Sequence, residues 1–176
     1  MADLSHLDEK GQVRMVNVGA KPATPRKASA EAIVKMSPQS VRLIGEDQLP
    51  KGEALAAARL AGILAGKQTP ILIPLCHPIP LSAIDVECSV QPDSVRIVAR
   101  VSTTAATGPE MEAMTAAAVA ALTLYDMVKG VDRRAEILHV RLLEKARAVT
   151  GSGQMLVKRS KTHRAEVLHR LEPSIQ

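Results

Sequence analysis

The sequence predicts an α+β fold, a ferredoxin-like βαββαβ sandwich with helices on one face of a four-stranded antiparallel sheet. Three observations carry this. Four segments are strand-like in composition and alternation, two long segments with helical spacing separate them, and the middle two strands are joined by Gln91-Pro92-Asp93. Helices on one face leave the other face open, so the same fold predicts self-association.

The elements follow in order. Residues 1–27 hold polar and proline-containing turns around a short apolar patch at 13–18, and read as an irregular arm. Residues 28–36 read as the first strand. Ser37-Pro38 is a helix-start pair and predicts a short helix to Ile44, followed by a loop over 45–52. Leu55, Ala58, Leu60, Ile63 and Leu64 put an apolar stripe on a helix over 53–67. Pro70, Pro74, Pro78 and Pro80 then predict a rigid, apolar, packed loop without regular structure. Residues 81–90 and 94–103 form a hairpin. Thr107 is a cap candidate, with Pro109 and Glu110 behind it, for a helix ending near Gly130. Residues 136–143 read as the last strand. Residues 1–150 therefore make one domain, and residues 151–176 a basic tail with a short helix over 165–171.

Composition narrows the function. One Tyr, no Phe and no Trp leave a core of Ala, Val, Leu, Ile and Met. The formal charge is +5, and from Thr150 onward five Lys and Arg stand against two Glu. Such a body attracts nucleic acid, acidic membrane or a phosphorylated small molecule. The missing aromatics count against single-stranded nucleic acid, whose binders stack bases on rings. Cys76 and Cys88 supply no disulfide framework, no basic and apolar leader opens the chain, and no apolar run is long enough for a bilayer. The expected location is the cytoplasm, with free thiols.

The chemistry gathers on the long helix. Asp126 and Lys129 are i,i+3 neighbours, and a carboxylate beside an ammonium can orient a proton-transfer pair. On spacing alone the commoner meaning is a surface ion pair. Met111, Glu112, Thr115, Val119 and Leu122 fall on roughly the same face. Glu112 and Asp126 are fourteen residues apart, about 21 Å along the axis, so one small substrate cannot span them within one chain. Antiparallel packing against a second copy would join them. Glu110 and Glu112 alternate, so one faces a site and one faces solvent, unless both only complement the helix dipole. His77, in the proline-stiffened Leu75-Cys76-His77-Pro78, is either a ligand-binding or proton-shuttling ring or a structural histidine. Lys21, Arg26, Lys27 and Lys51 can collect a polyphosphate, with Gly52 allowing close backbone approach, or be a solvated charge run. No Walker-type loop and no Gly-x-Gly-x-x-Gly is present, and no ligand spacing suggests a metal.

Six segments in order resemble one family. They are Met15-Val16-Asn17-Val18, Ala57-Ala58-Arg59-Leu60-Ala61-Gly62-Ile63, Ile73-Pro74-Leu75-Cys76-His77-Pro78, Gly108-Pro109-Glu110-Met111-Glu112-Ala113-Met114-Thr115-Ala116, Leu124-Tyr125-Asp126-Met127-Val128-Lys129 and Val140-Arg141-Leu142-Leu143-Glu144-Lys145. Together they are similar to the molybdenum-cofactor biosynthesis protein C family, the cyclic pyranopterin monophosphate synthases. The resemblance implies a lyase that turns (8S)-3′,8-cyclo-7,8-dihydroguanosine 5′-triphosphate into cyclic pyranopterin monophosphate and pyrophosphate. It implies a ferredoxin-like fold, a homohexamer built from dimers, and sites at subunit interfaces. It makes Asp126 the acid/base and Lys129 its catalytic neighbour. It assigns Leu75, Cys76, His77, Met111 and Glu112 to substrate, with Glu110 adjacent, and Arg26 and Lys51 to the triphosphate. No resident cofactor is implied, although Mg2+ can accompany pyrophosphate.

The chain departs from the family pattern at Asn17, at Pro109, and in the loop over 146–151, where Val149 replaces a lysine and Arg147 is the nearby cation. These departures motivate an alternative, a fold-preserving paralogue with weakened or lost activity. The basic charge motivates another, a ferredoxin-like RNA-binding module.

Overall fold

The computed structural model describes residues 10–148 and 155–159. Its elements are β1 (Thr24–Lys35), α1 (Pro38–Gly45), α2 (Ala54–Lys67), α3 (Thr69–Leu72), β2 (Leu81–Gln91), β3 (Ser94–Ala105), α4 (Glu110–Val128), β4 (Glu136–Ala148) and β5 (Met155–Arg159). The strands lie in the order β2-β3-β1-β4-β5, every neighbouring pair antiparallel. The first four reproduce the βαββαβ order, with helices packed on one face. The sheet has five strands, not the four expected. β5 falls in the stretch read as a tail, and its short apolar run, Met155-Leu156-Val157, gave too few residues for a strand signal. The helix expected over 165–171 and the altered position Val149 lie outside the described residues.

Other boundaries shift for local reasons. β1 starts at Thr24, through Pro25, which the sequence reading placed in the arm. α1 begins as expected: Ser37 accepts from the Ser40 amide, and Pro38 needs no intrahelical partner for its missing N–H. Asp132, from the α4–β4 turn, accepts from the Ser37 amide at 2.7 Å and locks that start in place. α4 has no Thr107 cap; its N-cap is Pro109, with Glu110 and Glu112 in the first turn. The proline-rich segment is not wholly irregular, because Pro70 opens the single turn of α3. Nor is it fully packed: Ile71 is 81% exposed.

The core is what a chain without large rings must build. Ala28, Ala30, Ala32 and Val34 of β1 and Val95, Ile97, Ala99 and Val101 of β3 meet Ala113, Ala116, Ala117, Ala120, Ala121 and Leu124 of α4. α2 packs on α4 through glycine. A Cβ at Gly62 would stand 2.8 Å from the Ala116 carbonyl oxygen, and one at Gly66 would stand 2.9 Å from Ile84 Cδ1. α4 is the one described helix long and apolar enough to cross a membrane, which the run-length reading of the sequence did not flag. Its alanines are spent on the sheet instead.

The sheet's other face carries a charge cluster. Glu31 of β1 is 2% exposed there. Arg96 of β3 donates to it at 2.7 Å, and Arg141 and His139 of β4 at 2.6 and 3.2 Å. Burial raises the Glu31 pKa, but the bonds from Arg96, Arg141 and His139 outweigh burial and hold it below the ordinary carboxylate value.

Two outcomes follow. Gly62→Ala lowers stability by about 1–3 kcal/mol despite the better helix propensity of Ala, because the added carbon meets backbone. Gly45→Ala, in open space at the end of α1, raises it by about 0.5 kcal/mol. Urea titration of both variants checks the pair, and equal shifts would refute the close approach of α2 to α4. A carboxylate with a lowered folded pKa stabilises above its unfolded value and loses that as pH falls. Wild type therefore weakens as pH drops below 4.5. Glu31→Gln is less stable at neutral pH by about 1–3 kcal/mol, and this deficit shrinks toward pH 3 in melts followed by circular dichroism.

Candidate active site

The expected residues separate into two groups, one at each end of α4. Asp126 is in its last turn and Lys129 is its C-cap. The Lys129 Nζ donates to Asp126 Oδ1 at 2.7 Å. The Lys51 Nζ donates to Asp126 Oδ2 at 2.8 Å and to the Asp126 carbonyl at 2.8 Å. Lys51 is delivered by a tight turn. The amide of Gly52 bonds the Leu49 carbonyl, and Gly52 takes φ +88, a left-handed conformation that suits glycine.

Two ammonium groups on one carboxylate set its charge. The hydrogen bonds from Lys129 and then Lys51 bring the Asp126 pKa down to about 2. The bond to Asp126 raises that of Lys129. At neutral pH the trio is one carboxylate between two ammoniums, net positive. A carboxylate flanked in this way can orient two proton donors.

The other end is chemically opposite. Glu112 lies within about 40° of Asp126 around the helix axis, yet it is 1% exposed, because the Cys76 loop covers it. The Cys76 thiol, from the loop after α3, donates to Glu112 Oε1 at 3.6 Å, while Oε2 is buried without a partner. Burial raises the Glu112 pKa. Burial and the neighbouring Glu112 push the Cys76 thiol up to about 11, so it stays a neutral donor. Glu110 and Glu112 do part company: Glu110 turns to Lys145, whose Nζ lies 3.0 Å from its Oε1. Leu75 is half-buried in the turn closed by the Cys76 amide on the Ile73 carbonyl, and Met111 is exposed. His77 is engaged as an anchor. Its Nε2 donates to the Val16 carbonyl at 2.7 Å and ties the N-terminal arm to this loop.

Arg26 and Lys51 do not share a phosphate locus within one chain. Lys51 is at the Asp126 end. Arg26 is at the Glu112 end, where Nε and Nη2 donate to the Ala105 and Ala106 carbonyls at 2.9 and 3.0 Å. Beside it lies a cavity of about 250 Å³, which also borders Lys27, Glu110, Lys145, Arg147 and Lys158. Sequence reasoning missed this cavity. Its signal was the alternation Lys145-x-Arg147 on a strand, which becomes a basic wall only once β4 extends to Ala148. Asn17, where the family pattern has Asp, accepts from the Gly19 amide at 2.9 Å, a turn either residue can make. Among the described residues no three His, Cys, Asp or Glu side chains converge as a metal site.

The MoaC family model matches residues 15–148. A protein of Thermomicrobium roseum named cyclic pyranopterin monophosphate synthase is 51% identical over 154 residues, 86% of this chain and 93% of that protein. One of the same name from Pelotomaculum thermopropionicum is 53% identical, over 86% of this chain and 90% of its own. A molybdenum cofactor biosynthesis bifunctional protein of Chlorobaculum tepidum is 52% identical over 80% of this chain and 45% of its own length.

Glu112 supplies a pH signature opposite in sign to that of Glu31. A carboxyl whose folded pKa is raised holds its proton more tightly when folded, so ionising it as pH rises above 4.5 costs stability. Glu112→Gln keeps the acceptor for Cys76 and removes that cost. Its melting temperature should exceed wild type at pH 8 and match it near pH 4. A gap of the same size at both values would count against a buried, strained carboxyl.

Proposed function

The chain belongs to the MoaC family, and on that premise we propose that it is a cytoplasmic lyase that makes cyclic pyranopterin monophosphate and pyrophosphate from (8S)-3′,8-cyclo-7,8-dihydroguanosine 5′-triphosphate. The observation that carries the reading is the Asp126 carboxylate clamped between Lys51 and Lys129. Rearranging the purine opens and recloses C–N bonds, so protons must pass on and off nitrogen. Lys51 and Lys129, both aimed by Asp126, donate them. Glu112, whose pKa burial raises, is the carboxyl that exchanges protons with the substrate. Closing the cyclic phosphate expels pyrophosphate, and cations stabilise the charge that develops. No resident cofactor is assigned, and any Mg2+ enters with the triphosphate as part of the substrate.

Glu112 and Asp126 lie about 21 Å apart along α4, too far for one substrate. In this proposal the site is composite: the Asp126 end of one protomer meets the Glu112 end of its partner along antiparallel α4 helices, within a homohexamer that is a trimer of dimers. Exposed Met111 and Leu122 on α4, with Leu60 at 61% exposure on α2, support helix-to-helix association.

The test is direct. Wild type mixed with the cyclised dihydro-GTP should release pyrophosphate and yield the pyranopterin product. Asp126→Asn and Lys129→Ala should each lower kcat by about 10²-fold or more. Mixing Asp126→Asn with Glu112→Ala chains should restore part of the rate, because some mixed sites hold neither lesion. Absence of pyrophosphate release by wild type would sink the synthase reading, and failure to complement would sink the composite site.

A further inference from the structure

Across β1, β4 and β5 the sheet twice makes an arrangement that sheets usually avoid. In the ladder Arg26 stands opposite Arg147, and Lys145 opposite Lys158. Like charges directly across a ladder repel. Both pairs fall on the helix-side face, since Arg147 and Lys145 alternate along β4 and Ala28, opposite Lys145, is in the core. Lys145 has Glu110, and Arg26 has two carbonyls. Among the described residues Arg147 and Lys158 make no ion pair. Both border the 250 Å³ cavity, where Glu110 is the sole carboxylate against Arg26, Lys27, Lys145, Arg147 and Lys158. Strand pairing alone needs only backbone, so it does not explain cations at these positions. A mobile polyanion in the cavity does. At this size the cavity suits part of a nucleotide, since whole-ligand pockets run roughly 300–1,000 Å³.

The family match ends at residue 148, and Lys158 lies beyond it. We propose that β5 is part of the binding site in this chain: Lys158, with Arg147 and Arg26, grips the two phosphates that leave as pyrophosphate. The inference rests on the triphosphate substrate proposed above and adds a specificity element to it. Its place on an exposed edge strand lets Lys158 be changed without disturbing the core.

Titration calorimetry of the full-length protein with inorganic pyrophosphate tests it, beside steady-state kinetics with the cyclised substrate. Lys158→Ala should raise the pyrophosphate Kd about tenfold. It should raise KM in parallel while kcat changes little. Lys158→Arg should keep both near wild type. Lys35→Ala, at the far end of β1, removes the same charge away from the cavity and should leave both unchanged. An unchanged Kd in Lys158→Ala, or equal weakening in Lys35→Ala, overturns the proposal. Lys158→Gln repeats the test should the alanine variant lose the wild-type melting temperature. The two readings fail separately. Normal turnover with an unaltered KM in Lys158→Ala removes this inference and leaves the synthase. Lys158-dependent pyrophosphate binding without turnover in wild type keeps the anion site and removes the synthase.

Discussion

The contact of α4 with α2 and the sheet is the constraint on which the rest of the molecule depends. It is made of alanine and glycine, with Gly62 almost touching the Ala116 carbonyl. Small side chains let the helix sit low on β1 and β3, and the interface has little slack to absorb a larger group. The result is a rod of nineteen residues held along its length. A rod so fixed presents its two ends at a set separation.

The ends differ in solvent more than in residue type. Asp126 stands in water between two ammoniums and is driven toward ionisation. Glu112 is shut in beside an unionised thiol and is driven toward protonation. Two carboxylates on one helix are thereby pushed in opposite directions, the pattern that divides acid from base work in catalytic sites. Neither end alone holds both tendencies.

Much of this was legible in the residues. The hairpin and the extent of α2 and α4 follow from periodicity and the Ser37-Pro38 start from capping, and the structure agrees with them except at the Thr107 cap. The Asp126–Lys129 contact also follows from i,i+3 spacing. What did not follow depends on distance along the chain. Lys51 reaches Asp126 across seventy-five residues, Cys76 reaches Glu112 across thirty-six, and the Val16 carbonyl occupies His77 across sixty-one. No local pattern encodes such meetings. β5 escaped for a different cause: five residues of which two are charged carry too little apolar alternation to be told from a tail.

The lack of large rings has an optical consequence. With no tryptophan and a single tyrosine, the chain absorbs almost nothing near 280 nm, so its concentration has to be read from peptide-bond absorbance or amino-acid analysis. The same poverty is useful. Tyr125 is half-buried in the last turn of α4, next to Asp126. Its emission comes from one place, with no tryptophan to drain it. The protein thus carries an intrinsic single-site fluorophore at the Lys51–Asp126–Lys129 cluster, where ligand binding or a neighbouring chain can be followed without a label.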